Sequence, residues 1–352
     1  MLHDVRGAVG HEGDGTVSRA RSAIVGISGE ALTDQERRLF LTHAPAGFIL
    51  FQRNCCSRGQ LQALTAELKG LFPDRWVPVL IDHEGGRVQR MKAPAWEPRL
   101  PAQAIGDMPP EAREEAVRLW AALLAGDLVD VGIDVDCLPV LDVLRPETTG
   151  AIGNRSFSAD PGTVATLGKL TIDTFTELGV ATVMKHLPGH GRATVDSHLA
   201  MPRLKASYGQ LAAFDFLPFN ICASKVPFAI TAHIVFEAVD PDRPATESPK
   251  VIQEIIRGYI GFEGILISDD LSMKALEGPL EDRARRALAA GCDLPLLCDG
   301  HFDETETLLR CLPPMPEDRF ALLQEARPVA LKTPVKPAAL AARLDQLISR
   351  YA

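Results

Sequence analysis

Eight short apolar runs, each followed by a pattern typical of a helix, constrain the fold of this chain more than any other feature. Several runs are apolar throughout, as expected of parallel strands that are buried on both faces. Strands that alternate with helices in this way are typical of α/β folds with a parallel sheet. The runs are Ala23–Ile27, Gly47–Phe51, Val77–Ile81, Ile133–Leu138, Ala181–Met184, Phe228–Thr231, Gly264–Ile267 and Asp293–Leu297.

The ends of these runs favour a closed barrel over a doubly wound open sheet. Polar residues recur near the strand ends, at Gln52-Arg53, Asp82, Asp136, Lys185-His186, His233 and Asp269-Asp270. A (β/α)8 barrel assembles its active site from several strand ends on one face, whereas an open sheet concentrates its site where the strand order reverses. The sequence has neither a strand-linked GxGxxG nor a GxxxxGK[ST] motif. We therefore predict an α/β fold consisting of a single (β/α)8 TIM-type barrel.

Two of the predicted helices have clear start signals. Thr33 and Glu36 have the spacing of a capping box, in which each side chain satisfies a backbone amide of the other residue. Asp160-Pro161 places a capping residue before a proline at the first helical position. Helical apolar spacing covers Glu111–Leu128 and Gly162–Leu178, and a last helix is predicted at about Ala338–Arg350.

The length of 352 residues fits one such barrel, which needs roughly 250 to over 400 residues. We expect a flexible N-terminal tail over residues 1–20, the catalytic barrel over 21–332, and a linker with a C-terminal helix packed on the barrel over 333–352. The tail contains no apolar core of the ~7–15 residues that a secretory signal needs. The seven cysteines include no CxxC pair. These features predict reduced thiols in a cytoplasmic protein.

The charge and hydropathy of the chain argue against two classes of partner. The formal net charge is −9, whereas a nucleic-acid binder normally carries a basic patch. No apolar stretch approaches the ~18 residues that a membrane helix requires. We therefore expect neither a nucleic acid nor a membrane as a partner.

The first segment with catalytic potential runs from Lys185 to His198 and follows a predicted strand. Its glycines and proline predict a loop. Asp196 and His198 are two residues apart, so in extended backbone both side chains point the same way. A carboxylate on one ring nitrogen fixes the tautomer of the imidazole, and such a histidine can act as general acid and general base near neutral pH. A structural loop with surface histidines and a metal site are the alternatives.

The second segment is the run from Gly264 to Met273, in which an apolar strand ends abruptly in Asp269 and Asp270. A carboxylate at the carboxyl end of a barrel strand is suited to act as a nucleophile or a metal ligand. Adjacent side chains of a strand point to opposite faces, so we expect only one of the two to enter the site. The alternative is that either residue caps the following helix.

The third segment is Asp82–Arg90, where a strand end carries charge and is followed by Gly-Gly. Carboxylates and guanidinium groups suit the hydrogen bonding of sugar hydroxyls or carboxylates. A loop held by salt bridges is the alternative. Arg155, in a separate polar stretch, is a weaker candidate for the same purpose.

Together these segments resemble glycoside hydrolase family 3, in particular its NagZ-type β-N-acetylglucosaminidases. The run Lys185–Gly191, followed four residues later by Asp196-Ser197-His198, resembles the signature loop of that branch. Ser268–Met273 resembles its nucleophile segment, and Asp82–Arg90 resembles its sugar-binding loop, with His83 where the family more often has Gln. The resemblance covers about residues 20–300 and implies a barrel without the second domain of longer family members.

The resemblance implies a retaining hydrolysis in two steps. Asp269 would be the nucleophile that forms a covalent glycosyl-enzyme. His198 would protonate the leaving oxygen and then activate water, with Asp196 polarising it. Many glycosidases use two carboxylates instead, and an imidazole can replace one of them because it titrates near neutral pH. The sugar contacts of the family map to Asp82, Arg90, Arg155, Lys185 and His186.

The implied substrate is N-acetylglucosamine β-linked to (anhydro)N-acetylmuramic acid, with or without a peptide stem. An exo-acting enzyme would release the terminal sugar during peptidoglycan recycling. The resemblance implies a cytoplasmic monomer that needs no cofactor and no metal. Cationic residues near the site suit an anionic muropeptide despite the acidic chain. His233 is a further candidate sugar contact on its strand position alone.

Three alternatives stay open at this point. A phosphorylase of the same fold would transfer the sugar to phosphate instead of water. A zinc-dependent amidohydrolase-type barrel would use the His/Asp-rich strand ends as ligands, although its HxH after the first strand is missing where Ser28-Gly29 stands. A sugar sensor would bind without turnover, although all three proposed catalytic residues are present.

Overall fold

The predicted runs form eight parallel strands that close into a barrel, as the sequence predicts. A computed structural model describes residues 19–145, 150–195, 197, 200–329 and 336–351. Each strand pairs with its neighbours along the chain, and the first pairs with the last. The strands are β1 (Arg21–Gly26), β2 (Pro45–Leu50), β3 (Val79–Ile81), β4 (Val135–Asp136), β5 (Ala181–Leu187), β6 (Phe228–Thr231), β7 (Ile265–Asp270) and β8 (Leu294–Leu297).

Two strands extend further toward their carboxyl ends than the apolar runs indicate. β5 continues to Leu187, which pairs with Thr231, and the backbone N–H of Lys185 donates to the Pro139 carbonyl at 3.1 Å. The prediction that a loop begins at Lys185 is therefore wrong. β7 likewise continues to Asp270, with a shift in register against β8 after Ile267. Backbone pairing, rather than side-chain hydropathy, decides where these strands end.

The helices between the strands include those expected from the spacing and the start signals. Thr33 and Glu36 form the capping box at the start of the first helix, and Asp160 accepts from the Thr163 amide at the start of the fifth. The α-helices are α1 (Asp34–Thr42), α2 (Arg58–Gly70), α3 (Ala102–Gly106), α4 (Pro110–Asp130), α5 (Pro161–Glu177), α6 (Tyr208–Gln210), α7 (Leu217–Cys222), α8 (Leu280–Ala290), α9 (Phe302–Cys311), α10 (Glu317–Glu325) and α11 (Pro337–Tyr351), with π-helical turns over Leu211–Asp215 and Val251–Tyr259.

Alternation along the strands divides the buried apolar residues into two cores. In β1, Ile24 points into the barrel, whereas Ala23 and Val25 pack between the strands and the helices. At its amino end the barrel interior is closed by Trp76 and by Leu323 of α10. Because apolar side chains fill the barrel interior at this end, a polar cavity inside the barrel can open only at the opposite end.

The last helix, α11, lies against α4 and adds Leu344 and Leu347 to the core between strands and helices. Arg343 forms an ion pair with Glu115 of α4. The predicted boundaries of the tail and the linker stay predictions, because residues 1–18 and 330–335 lie outside the described residues.

Candidate active site

A cavity of about 280 Å³ opens at the carboxyl end of the barrel. This volume is near the lower limit of ligand pockets, roughly 300–1,000 Å³, and suits one sugar ring better than an oligosaccharide. Apolar side chains, among them Phe51 and Met273, share its lining with charged groups. Six of the eight residues predicted to form the site border it, namely Asp82, Arg90, Arg155, Lys185, His186 and Asp269. Asp196 and His198 lie outside the described residues.

A cluster of three cations and two carboxylates forms one wall of the site. The Lys185 ammonium contacts Asp82 at 2.6 Å and Glu84 at 2.7 Å. Glu84 accepts two hydrogen bonds of 2.8 Å from the Arg155 guanidinium, a bidentate pair. Asp82 also accepts from Arg90 at 3.0 Å. These shared contacts fix the position of each charged group relative to the others.

The cluster is held in its charged form by its own members. Burial would raise the pKa of Asp82, but Lys185 and Arg90 outweigh it and hold that pKa well below its usual range. Burial would likewise raise the pKa of Glu84, but Arg155 and Lys185 lower it to about 2. For Lys185, the neighbouring carboxylates overcome the effect of burial and raise the pKa. All three groups are therefore ionised at neutral pH.

A tight hairpin brings Arg90 back over Asp82. The chain leaves β3, pairs His83–Gly85 with Val88–Gln89, and turns at Gly85 and Gly86, which have φ of +78° and +55°. A Cβ at Gly85 would come within 2.2 Å of the Leu100 carbonyl oxygen, so only glycine fits there. The Gly-Gly pair in the sequence is thus required by the backbone, and the hairpin returns Arg90 to the strand end.

Glu84 is a member of the cluster that reasoning from the sequence did not select. It is 2% exposed and pairs with both Arg155 and Lys185. The signal that could have found it is its position two residues after Asp82, since residues i and i+2 of extended backbone lie on the same side.

Lys185 and His186 reach the cavity from the end of β5. The peptide bond between them is cis. The Nδ1 atom of His186 lies 2.7 Å from the Asp142 carboxylate, and its Nε2 atom lies 3.5 Å from an Arg155 nitrogen. Asp142, which the sequence did not indicate, is fully buried and does not border the cavity.

The two adjacent carboxylates at the end of β7 both border the cavity, so the expectation that only one would do so is wrong. The shift in register between Ile267 and Asp270 interrupts the regular alternation. Asp270 accepts from the Ser272 hydroxyl at 2.6 Å and from the Cys298 amide at 3.1 Å. Asp269 accepts from the Asp270 amide at 2.9 Å. Asp270 therefore secures the turn. The alternative that one of the two aspartates caps the following helix is wrong, because α8 begins at Leu280 with Pro279 at its N-cap.

His233 is fully buried and does not border the cavity. One ring nitrogen lies 2.8 Å from the Thr246 hydroxyl and the other 3.0 Å from the Asp270 carbonyl oxygen. The suggestion that His233 contacts the sugar is therefore wrong, and the side chain supports the end of β7 from behind.

The described part of the chain contains neither a candidate metal site nor a candidate membrane span. Among the residues that the structure describes, no group of three or more His, Cys, Asp or Glu side chains could hold a metal ion. None of the helices in the described ranges is long and apolar enough to cross a bilayer.

Comparison with known proteins identifies the family. Residues 20–315 match the model of the glycosyl hydrolase family 3 N-terminal domain. A beta-hexosaminidase of Alkalilimnicola ehrlichii is 39% identical over 317 residues, which is 87% of this chain and 89% of that protein. One from Thioalkalivibrio sulfidiphilus is 41% identical over 302 residues, 83% of this chain and 84% of that protein.

The fold comparison agrees with the sequence comparison. The structure of NagZ from Neisseria gonorrhoeae in complex with N-trifluoroacetyl-D-glucosamine superposes with a TM-score of 0.85 at 31% identity, covering 95% of this chain and 99% of that one. An amidohydrolase-type barrel is thereby excluded. The chain belongs to glycosyl hydrolase family 3.

Proposed function

We propose that this protein is a retaining, exo-acting β-N-acetylglucosaminidase. Its substrate would be a muropeptide in which N-acetylglucosamine is β-linked to (anhydro)N-acetylmuramic acid, so that the enzyme serves peptidoglycan recycling. The observation that carries the proposal is that the charged cluster around Lys185 and the carboxylate Asp269 border one small cavity. The names of the related beta-hexosaminidases support the class of sugar.

The shape of the cavity supports removal of one terminal sugar. The amino end of the barrel is filled by Trp76 and Leu323, so a chain cannot pass through it. Within the cavity, Asp82 offers acceptors and Arg90, Arg155 and Lys185 offer donors, which together match the donor and acceptor capacity of sugar hydroxyls. Because these groups are already fixed by their mutual contacts, they lose little freedom when a sugar binds.

In the proposed first step, a carboxylate oxygen of Asp269 attacks the anomeric carbon of the sugar. The bond from that carbon to the leaving oxygen breaks, and His198 gives its proton to that oxygen. In the second step, His198 takes a proton from water, and the water oxygen displaces Asp269 from the anomeric carbon. Asp196 would fix the tautomer of His198 throughout. Each displacement inverts the configuration at the anomeric carbon, so the two steps together give retention.

The cations of the cluster also support the proposed substrate, which is anionic. Arg90, Arg155 and Lys185 place three cations at the cavity. These cations can attract the acidic groups of a muropeptide although the chain as a whole carries a net charge of −9. The proposal also includes a cytoplasmic monomer that needs no cofactor, as the family resemblance implies.

The decisive experiment traps the covalent intermediate. The wild-type protein is incubated with a 5-fluoro β-N-acetylglucosaminyl fluoride, digested, and mapped by mass spectrometry. We expect the label on Asp269, and Asp269→Ala should abolish both labelling and hydrolysis of an aryl β-N-acetylglucosaminide. A label on Asp270, or inversion at the anomeric carbon observed by proton NMR, would contradict the proposal.

The same assay distinguishes hydrolysis from phosphorolysis. Turnover is measured in phosphate and in a phosphate-free buffer of equal ionic strength, and the products are separated. We expect free N-acetylglucosamine at the same rate in both. Accumulation of the sugar 1-phosphate, at a rate that depends on the phosphate concentration, would show that phosphate rather than water displaces Asp269 in the second step.

A further inference from the structure

Asp142 lies in the segment that follows β4 and is fully buried beside the active site. This segment is bound to the end of β5, since the Leu141 amide donates to the Lys185 carbonyl at 2.9 Å. The loop beyond β5 also packs on it. A Cβ at Gly191 would come within 2.0 Å of the Val143 carbonyl oxygen, so the two backbones are in direct contact. The position of Asp142 is therefore fixed relative to both the strand end and the loop.

The two oxygens of the Asp142 carboxylate serve two different histidines. One oxygen lies 2.7 Å from His186 Nδ1. The other accepts from the His190 backbone amide at 2.6 Å. Burial would raise the pKa of Asp142, but the two histidines and their hydrogen bonds lower it, so the group is ionised and can only accept. His186 must then carry its proton on Nδ1.

This proton assignment decides what His186 presents to the cavity. With the proton on Nδ1, the Nε2 atom of a neutral ring is an acceptor. That atom lies 3.5 Å from an Arg155 nitrogen, which can only donate. A ring with the opposite tautomer would direct its Nε2–H at the guanidinium. Asp142 thus ensures that His186 directs an acceptor, not a second donor, at the Arg155 guanidinium.

His190 connects Asp142 to the acid/base loop, because its backbone amide donates to Asp142 and its ring contacts Ser197. Its ring Nε2 lies 3.0 Å from the Ser197 hydroxyl, and both residues border the cavity. Burial lowers the pKa of His190 to about 4, so the ring is neutral near pH 7. In the chain, Ser197 stands between Asp196 and His198, the two residues proposed for acid/base catalysis.

We propose that Asp142 is a positioning residue that couples the sugar-contacting histidine His186 to the acid/base loop. One carboxylate oxygen sets the tautomer of His186. The other holds His190, whose ring contacts Ser197, the residue that stands between Asp196 and His198 in the chain. This inference rests on the proposed function, because it assigns the consequences of the geometry to sugar binding and to proton transfer.

The variant Asp142→Asn disrupts one of the two hydrogen bonds to His186 and His190 while keeping the volume of the side chain. An amide can accept with only one of its two atoms, so its NH₂ group must face either His186 Nδ1 or the His190 amide. The first choice forces the wrong tautomer on His186, and the second places two donors together. The corresponding change beside a catalytic histidine costs about 10⁴-fold in kcat. Because His186 contacts the sugar and transfers no proton, we expect a loss of about 10²-fold in kcat/KM here.

The test uses two readouts that a purely structural role would not separate. The inhibition constant of free N-acetylglucosamine reports on His186, and the dependence of kcat/KM on the pKa of the aryl leaving group reports on acid catalysis. Asp142→Asn should raise the inhibition constant about tenfold and make the dependence steeper. Ser197→Ala should make the dependence steeper with little change in the inhibition constant, and Ser197→Thr should recover part of that loss.

Asp240→Asn is the matched control, because Asp240 is also a buried carboxylate. It accepts from the Ser248 hydroxyl at 2.6 Å and lies outside the cavity lining. This variant should lower Tm and leave both readouts unchanged. If Asp142→Asn behaves like this control, or loses activity equally with all leaving groups, the coupling is wrong. If the wild-type protein does not hydrolyse the aryl N-acetylglucosaminide, the proposed function fails first.

Discussion

The two ends of the barrel both contain ion pairs, but these ion pairs differ in burial and in surroundings. At the amino end, Asp293 pairs with Arg257 and with Arg319, at 3.1 and 2.7 Å. Both arginines also donate to the Gly264 carbonyl oxygen, at 2.8 and 2.7 Å. The donors there are directed at the backbone that begins β7, so this cluster holds the base of the barrel together.

At the carboxyl end, the cluster is more deeply buried and yet borders a cavity. The side chains of Lys185 and Glu84 are 3% and 2% exposed, compared with 23% for Arg319. Removing charges from water is costly, and ion pairs of this kind seldom stabilise a fold more than apolar residues would. The more costly cluster is thus the one that faces the cavity, which is expected if it is maintained for binding rather than for stability.

The largest effect is expected where the cavity holds the proposed nucleophile. Asp269→Asn should lower kcat by at least about 10⁴-fold, because an amide cannot form the glycosyl ester. The Tm should stay close to that of the wild type. Asp270→Asn is the matched control, since Asp270 secures the turn through Ser272 and Cys298. It should lower Tm and affect kcat far less. A larger kcat loss in Asp270→Asn than in Asp269→Asn would reverse the two assignments.

A paired substitution tests the comparison of the two ends directly. Lys185→Met and Arg319→Met each remove one cation from a cluster in which every carboxylate keeps an arginine. Breaking a fully buried pair costs about 3–5 kcal/mol. Because each carboxylate keeps an arginine, both variants should lower the free energy of unfolding in urea by less than this, and Arg319→Met by the smaller amount, since Arg319 is 23% exposed.

Only the substitution at the carboxyl end should affect the kinetics. Lys185→Met should reduce kcat/KM by about 10²-fold, since the sugar loses a donor and the wall of the site loses its shared cation. Arg319→Met should leave kcat/KM per folded molecule unchanged. Equal kinetic losses in the two variants would show that stability, not position, limits activity.

Lowering the pH should reduce the free energy of unfolding through His190, which lies at the carboxyl end of the barrel. Its pKa is about 4 in the folded protein and ordinarily 6.5. The unfolded chain therefore binds more protons between these values, and stability falls as the pH is lowered through this window. Between pH 7 and pH 5 this amounts to about 2 kcal/mol.

The variant His190→Gln should lack this share of the acid sensitivity. Unfolding in urea at pH 7 and pH 5, for the wild type and the variant, measures the difference and cancels the contributions of other groups. An identical loss of stability in both proteins would contradict the neutral, buried state of His190.

The smallest effect is expected at the carboxyl face but away from the cavity. Thr33→Ala removes the hydroxyl that accepts from the Glu36 amide at 3.1 Å in the capping box of α1. It should cost about 1 kcal/mol of stability and leave kcat/KM unchanged. A kinetic effect would mean that the first loop of the barrel also supports the site, which would widen the functional region beyond the cavity.

The residues of the cluster illustrate what could be predicted. The strand ends and the family resemblance indicated Asp82, Arg90, Arg155 and Lys185 as neighbours, and all of them border one cavity. Their pairing with Glu84 was not predicted, because an acidic residue inside a charged segment is not distinguishable from a solvated one by composition. Its spacing two residues after Asp82 is the one signal in the sequence, and its exposure of 2% shows that it is buried rather than solvated.

Asp142 and Asp270 illustrate what the sequence could not indicate. Asp142 follows an apolar strand by several residues and contacts His186, which is 44 positions away. Asp270 adjoins Asp269, and regular alternation would turn it away from the cavity. The shift in register at the end of β7 brings both carboxylates to the same cavity. Such shifts arise from pairing with neighbouring strands and leave no pattern in a single segment.

The sequence by itself determined the number and order of the strands, the closed barrel, the start of two helices and the family. These depend on hydropathy with a period of two or 3.6 residues and on local capping, which act over short distances along the chain. The tertiary structure decided which carboxylate secures a turn, which pairs with a cation and which histidine nitrogen carries a proton. Those properties depend on burial and on partners from distant segments, and a charged group takes its chemical character from them.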